Sequence, residues 1–247
     1  MNLLRKQTVI GLTAVALIVV AGAAAAYAYF FSGLRTAPRP LALSSPTAAS
    51  SAPAASAAAA GSGLSGHWTV GQGSQVGYRV KEQFVGQTSA HEAVARTSGV
   101  SGGFTVQQDS GGWVATAIRF TAQLSGLQSV DQVAGRDVSQ RDFFVSRTLS
   151  VQQYPEATFL AQAVTVPATI EGGGTVEMTV PGQLTIHGTT RSADATVQLL
   201  LTGSRLQAAG STAVTMTDFG ITPPQVAFTT SDSHVTIEFQ LVLVKGS

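Results

Sequence analysis

The stretch HVTIEFQLVLV, residues 234–244, carries an apolar side chain at every second position. Val235, Ile237, Phe239, Leu241 and Leu243 fall on one side, with the residues between them on the other. A period of two residues is typical of a β-strand with one face buried. The stretch therefore predicts a long strand whose alternate side chains face an apolar interior.

The same period recurs through the C-terminal two thirds of the chain. It is clear in residues 75–81, 113–124 and 176–186, and shorter apolar runs follow at 198–201 and 213–219. Glycine-rich turns separate these runs at spacings typical of hairpins. Many strands of this kind indicate a sandwich or a closed barrel, and long strands favour the barrel because closure removes exposed edges. We predict an all-β fold, an antiparallel lipocalin-like barrel of about eight strands.

One segment breaks the pattern. Residues 135–159, GRDVSQRDFFVSRTLSVQQYPEATF, are first charged, then carry Phe143-Phe144, and later Tyr154-Pro155. We predict that this segment is a short helical insertion near the mouth of any cavity that the barrel encloses.

Composition excludes several classes of function. The chain has no cysteine, so disulfides, thiolate metal sites and a cysteine nucleophile are ruled out. Four of the 14 basic residues precede residue 66, where there is no acid, so the rest of the chain has ten basic residues against 13 acids. A mildly acidic domain lacks the basic face that nucleic acid requires, and we expect no nucleic-acid partner.

No sequence motif indicates catalysis. The four histidines do not have metal-ligand spacing, and the chain has neither an HExxH motif nor a GxSxG elbow. A serine–histidine–acid triad is defined by geometry and is left open by the sequence. We predict no metal site, no cofactor, no catalytic residue and no enzymatic activity.

The N-terminal region divides into two parts before the β domain. Residues 7–31 carry no charge and exceed the roughly 20 residues that span a bilayer, which predicts a membrane anchor over residues 1–31. Arg5 and Lys6 would stay in the cytoplasm, so the protein would be single-pass with its β domain, residues 66–247, on the extracytoplasmic side of the cell membrane. The alternative is a signal peptide cleaved near Ala28 and a secreted domain. Residues 32–65, rich in Ala, Ser and Pro, predict a disordered linker.

Short motifs follow one another along the β domain in a characteristic order. They are GHW at 66–68, VSGGF at 100–104, RD at 136–137, FF at 143–144, YPEATF at 154–159, GQLTIHGTTR at 182–191 and DFGI at 218–221. In these motifs the domain resembles the YceI-like family of lipocalin-like, polyisoprenoid-binding proteins. The resemblance covers roughly residues 66–245. It implies an antiparallel barrel with an apolar lumen that holds a long isoprenoid or similar amphiphile, and it implies no catalytic residues.

A binding role predicts a lumen lined by apolar and aromatic side chains, with a few polar groups at the mouth. The expected lining residues are Tyr78, Phe104, Ile118, Phe120, Phe144, Phe159, Leu184, Ile186, Phe219, Ile237 and Phe239.

Arg136 lies in a charged group with Asp137, Arg141 and Asp142, and it could bind an anionic head group. The alternative for this group is local ion pairing that pins a short helix to the barrel rim.

An alternative function also stays open. The same apolar side chains could fill a solid core, and the protein would then be a cell-surface or stress-related scaffold that binds a protein partner. A homodimer is possible in either case.

Overall fold

The structure, a computed structural model, describes residues 35–44, 63–86, 90–133, 137–226 and 229–246. The membrane anchor predicted over residues 1–31 lies outside these ranges. Within them, no helix has the length and apolar character needed to cross a bilayer.

The described residues form fifteen strands and one α-helix. The helix α1 spans Gln140–Thr148, and short 3-10 helices lie at Leu124–Gly126, Ala168–Gly172 and Met216–Phe219. The strands are β1 (Arg35–Thr36), β2 (Gly66–Val70), β3 (Gln75–Phe84), β4 (His91–Thr97), β5 (Val100–Asp109), β6 (Gly112–Gln123), β7 (Gln128–Ser129), β8 (Gln132–Val133), β9 (Glu156–Ala161), β10 (Val164–Val166), β11 (Val176–Ile186), β12 (Thr189–Thr202), β13 (Arg205–Thr215), β14 (Gln225–Val226) and β15 (Thr229–Lys245).

Eight of these strands close into an antiparallel barrel. The ring runs β2, β5, β6, β9, β11, β12, β13 and β15, and β15 pairs with β13 on one side and with β2 on the other. The fold predicted from the alternating pattern is therefore confirmed. The stretch at residues 234–244 lies in β15, the longest strand and the one that closes the ring.

The wall of the barrel branches beside β15. The C-terminal end of β15 pairs with β2, whereas its earlier part pairs with β3, which continues the sheet through β4 to β7. The buried Ser74 holds the chain where it passes from β2 to β3, since its hydroxyl donates to the Gly71 carbonyl at 2.8 Å and accepts from the Val242 amide at 2.9 Å.

Helix α1 is the predicted insertion, and it lies beside β7. None of its side chains is buried, so apolar packing contributes little to its position. Instead, the Asp142 carboxylate accepts hydrogen bonds from the amide and the hydroxyl of Ser129, at 2.9 and 2.7 Å. After the helix, the Tyr154 ring packs edge-on against His187 with centroids 5.0 Å apart, so two of the sequence motifs meet in space.

Residues 35–44 correct the prediction of a disordered linker over residues 32–65. They lie against the outside of the barrel: β1 pairs with β8, the Leu41 amide donates to Glu238 at 3.1 Å, and the Ser44 amide donates to Gln207 at 3.0 Å. The sequence did not reveal this docking because main-chain hydrogen bonds require no apolar side chains. Residues 45–62 of the predicted linker lie outside the described residues.

Candidate functional site: the barrel lumen

The barrel is hollow. It encloses a cavity of about 510 Å³ and, deeper along the axis, a second of about 170 Å³. The two share parts of their walls, including Val76, Ala122 and Ile237, so they adjoin inside the barrel and we treat them together as the lumen. Exposed residues such as Gln140 and Phe144 line the larger cavity, whereas no exposed residue lines the smaller one. The mouth therefore lies at the helix α1 end.

The structure places all eleven predicted apolar lining residues on the lumen wall. Tyr78, Phe144, Ile186, Phe219 and Ile237 line the larger cavity. The smaller cavity is lined by Phe104, Ile118, Phe120, Phe159, Leu184 and Phe239, and again by Ile237. Arg136 lies outside the described residues. Contact of these side chains with a ligand stays a prediction.

A buried tryptophan supports the wall of the smaller cavity through its neighbour Leu64. Trp68 is fully buried, its indole Nε1 donates to the Leu64 carbonyl at 2.8 Å, and the Lys245 ammonium lies 5.8 Å from its ring centre. Leu64 and Ile170, the latter from the 3-10 helix after β10, line the smaller cavity, and both are fully buried. The smaller cavity therefore has buried walls, whereas exposed residues mark the mouth at the helix α1 end.

A buried ion cluster lies at the mouth. The Arg141 guanidinium donates to both carboxylate oxygens of Asp131, at 2.7 and 3.1 Å, and its Nε lies 3.1 Å from Glu82. Asp131 also accepts from the Val94 amide at 3.0 Å and lies 2.6 Å from Nε2 of His91. Arg141 thus links helix α1 to β3 and to the segment between β7 and β8, which is the local pairing that we gave as the alternative role for this charged group.

The cluster shifts the protonation of its members. Burial alone would raise the pKa of Asp131, but the hydrogen bonds from His91 and Arg141 hold it well below its ordinary value. Burial lowers the pKa of Arg141, yet its bonds to Asp131 and its attraction to Glu82 outweigh this and raise it. Burial raises the pKa of Glu82, with Arg141 opposing the shift. Asp131 and Arg141 are therefore a fixed ion pair, while Glu82 protonates more readily than a solvated carboxyl.

Tyr78 adds a polar group to the same part of the lumen. Burial raises the pKa of Tyr78, and the Arg141 charge opposes that shift. Its hydroxyl makes no hydrogen bond to any other residue in the described ranges, although its ring lines the larger cavity. A buried hydroxyl without a protein partner is suited to bind a polar group of an occupant.

Sequence reasoning missed three members of the cluster. Glu82 had a usable signal, because it falls on the same face of its strand as Val76, Tyr78 and Val80, where a charge is unusual. His91 and Asp131 carried no such sequence signal, because they are far apart in sequence and only the fold brings them together.

The described serine–histidine contacts lack the arrangement of a catalytic triad. His187 lies 3.3 Å from the Ser150 hydroxyl, but its other ring nitrogen faces the Phe219 carbonyl rather than a carboxylate. Ser233 and Asp232 both approach Nδ1 of the exposed His234, whereas a triad uses the two ring nitrogens separately. Within the described ranges, no group of three or more potential ligands could hold a metal ion.

The architecture as a whole defines a class. It is an antiparallel barrel of eight strands that encloses a narrow apolar cavity, with polar groups at the mouth. The chain belongs to the YceI-like domain family, whose family model matches residues 68–243. This confirms the resemblance inferred from the motifs.

Several solved structures are similar to this chain. A polyisoprenoid binding domain from Saccharophagus degradans, implicated in plant cell wall breakdown, is 15% identical; the match covers 74% of this chain and 99% of that chain, with a TM-score of 0.51. Burkholderia cenocepacia BcnA is 20% identical over 67% of this chain and 95% of its own, with a TM-score of 0.43. A Campylobacter jejuni YceI protein is 10% identical; the match covers 62% of this chain and 85% of that chain, with a TM-score of 0.43. No curated protein matches the chain.

Proposed function

We propose that this protein holds a polyisoprenoid or another long amphiphile in its barrel lumen, without catalysing a reaction. We further propose that residues 7–31 anchor it in the cell membrane with the barrel on the extracytoplasmic side. The observation that carries the binding proposal is the hollow apolar lumen, whose mouth lies at helix α1.

The energetics favour a long apolar chain in this lumen. Removal of hydrocarbon from water contributes about 0.8 kcal/mol per methylene, so an isoprene unit of about five carbons would gain about 4 kcal/mol. The deeper cavity is lined almost wholly by apolar side chains, including Phe104, Phe120 and Phe239. Several units would bind tightly without any specific polar contact.

The mouth favours a neutral head group over a diphosphate. Arg141 is already paired with Asp131 and Glu82, which leaves no net positive charge in the cluster for an anion. The Tyr78 hydroxyl and a protonated Glu82 can both hydrogen-bond to an alcohol or a carbonyl. The earlier hypothesis that Arg136 binds an anionic head group stays a prediction.

The scaffold alternative required a lumen filled by large side chains. The two cavities count against a solid core and so favour the carrier proposal. A cell-surface protein partner remains the second hypothesis that the binding experiment addresses.

Native mass spectrometry tests the binding proposal directly. The chain is purified from a host with isoprenoid lipids, and its bound material is extracted and weighed. We expect a stoichiometric apolar ligand. A ligand-free mass that is unchanged by incubation with polyprenyl lipids would overturn the proposal.

Two neighbouring residues of β9 provide a matched pair of variants. Phe159 lines the lumen, whereas Leu160 is exposed on the outside. Phe159→Arg should abolish ligand retention, as should Phe120→Arg and Phe239→Arg, while Leu160→Arg should retain the ligand. Circular dichroism checks that each variant is folded.

A further inference from the structure

Residues 35–44, which we call the strap, form an integral part of the folded barrel. The Pro38 carbonyl accepts a hydrogen bond from Arg79, and the Arg39 carbonyl accepts one from Arg96 at 2.6 Å. The Leu41 amide donates to Glu238, which is itself bound to both arginines. The strap runs from β8 across the outer faces of β4, β3 and β15.

The charges beneath the strap explain why it is fixed. Glu238 and Arg79 are only 2% and 6% exposed, although they point away from the lumen. Buried ions are stable only when nearly all their hydrogen-bonding groups have partners. The carboxylates satisfy part of each guanidinium, and the carbonyls of the strap accept the remaining hydrogen bonds. Removal of the strap would leave the ion pairs in place but would take one carbonyl acceptor from each arginine and one amide donor from Glu238.

The docked strap shortens the connection to the proposed anchor. Only residues 32–34 separate the uncharged stretch, which ends at Phe31, from Arg35 in β1. The four Cα-to-Cα steps from Phe31 to Arg35 span at most about 14 Å. Residues 45–62 connect two segments that both lie on the barrel, so they add no length to this connection.

The strap begins beside the mouth of the lumen. Arg35 pairs with Val133 in β8, and Asp131, two residues before Val133, holds Arg141 of helix α1. The first residue of the strap and the opening of the cavity are therefore on the same side of the barrel, and a proposed anchor that ends at Phe31 would be within about 14 Å of Arg35.

Large apolar side chains are exposed around the mouth, beside its polar groups. Six large apolar side chains are strongly exposed in the described ranges, and four of them lie here: Val85, Val130, Phe143 and Phe144. Val85 follows the cavity-lining Phe84, Val130 precedes Asp131, and Phe144 itself lines the cavity. Exposed aromatic and branched side chains around an opening suit the boundary between lipid and water.

We propose that the strap holds the cavity mouth against the bilayer that carries the anchor, with Val85, Val130, Phe143 and Phe144 facing lipid. The ligand then passes between membrane and lumen without crossing water. This inference rests on the proposed anchor at residues 7–31.

Depth-dependent quenching tests this orientation in the full chain, which has no native cysteine. Single variants Phe143→Cys and Val85→Cys carry an environment-sensitive fluorophore, and Gly172→Cys serves as the control in the 3-10 helix beside the smaller cavity, where an added side chain meets open space. Each is reconstituted in phosphatidylethanolamine and phosphatidylglycerol vesicles that contain a spin-labelled lipid. We expect quenching several-fold stronger at positions 143 and 85 than at 172. Equal quenching at the three positions would overturn the proposal.

Two insertions of the same Gly/Ser segment test the role of the strap. Placed between Leu34 and Arg35, a segment of about 20 residues adds a mean reach of about 25 Å and should reduce quenching at position 143. Placed between Ala55 and Ser56, it leaves the short connection intact and should change nothing. If the first insertion leaves quenching unchanged, the strap does not hold the mouth at the membrane.

Two further measurements separate this inference from the proposed function. Intact mass of the membrane-extracted protein reports whether the anchor is retained, and a cleaved anchor would overturn the inference. Ligand found on the same sample by organic extraction would leave the binding proposal standing.

Discussion

Replacement of Asp131 by asparagine should destabilise the barrel strongly. The carboxylate is almost completely buried and accepts hydrogen bonds from Arg141, from the Val94 amide and from the neighbouring His91. Asparagine preserves the shape but leaves the Arg141 charge with Glu82 as its remaining partner. Breaking a buried ion pair in this way typically costs about 3–5 kcal/mol.

Urea unfolding measures this loss. Trp68 and Trp113, the two tryptophans of the chain, are both buried, so their fluorescence reports unfolding of the whole barrel. With an m-value of about 2 kcal/mol/M, a loss of about 3 kcal/mol moves the midpoint down by about 1.5 M. The control is Asp137→Asn, an exposed carboxylate near helix α1 that bonds only to Ser139 among the described residues. The reasoning is refuted if D131N lowers the midpoint no more than D137N does.

The same variant should change the response to acid. Because the folded-state pKa of Asp131 lies below its unfolded-state value of about 4, its ionised form stabilises the fold above that value. This stabilisation is lost as the pH falls through the folded-state pKa. Glu82 has a raised folded-state pKa, so its effect is opposite: its contribution to the stability of the fold is lost as the pH rises above about 4. Below pH of about 4, D131N should therefore lose stability less steeply than the natural protein.

Three further substitutions have defined outcomes. Glu238→Gln should speed hydrogen exchange at residues 37–44, measured by mass spectrometry, because the Leu41 amide and two arginines lose a charged acceptor; unchanged exchange would contradict a docked strap. Gly102→Ala should lower the free energy of unfolding by about 1–3 kcal/mol, because φ is +122° and a Cβ would lie 2.1 Å from a backbone oxygen. Gly172→Ala, where a Cβ meets no atom within 4 Å, should leave the midpoint of the same urea titration unchanged. Tyr78→Phe should leave the unfolding midpoint nearly unchanged but weaken binding of a polyprenyl alcohol by about tenfold, the loss of one hydrogen bond; equal affinity would remove Tyr78 from head-group binding.

The barrel was predictable because a period of two residues determines which face of each strand is buried. Val235, Ile237, Phe239, Leu241 and Leu243 all line the lumen, as the alternation indicates. The hollow interior was not predictable from the same pattern. A cavity depends on how the summed side-chain volumes compare with the space inside the ring, and alternation contains no information on that difference.

The ion cluster and the strap escaped prediction for different reasons. Glu82, His91, Asp131 and Arg141 come from four separate segments, so the sequence showed single charges without their partners. The strap is composed of residues typical of disordered linkers, and its position follows from charges on the barrel rather than from its own side chains.

Under the proposed function, the buried residues at the inner end of the lumen would allow the protein to discriminate ligands by length. An isoprenoid chain that rests against Leu64 and Ile170 has a fixed starting point, so the number of its units determines where the head group stops. A chain that is too short leaves its polar head among apolar side chains, and one that is too long carries the head past Phe144 into the surroundings. Only an intermediate length brings the head beside Tyr78 and Glu82. Under the proposed function, a homologous series of polyprenols would therefore show an affinity maximum rather than a steady increase with each added unit.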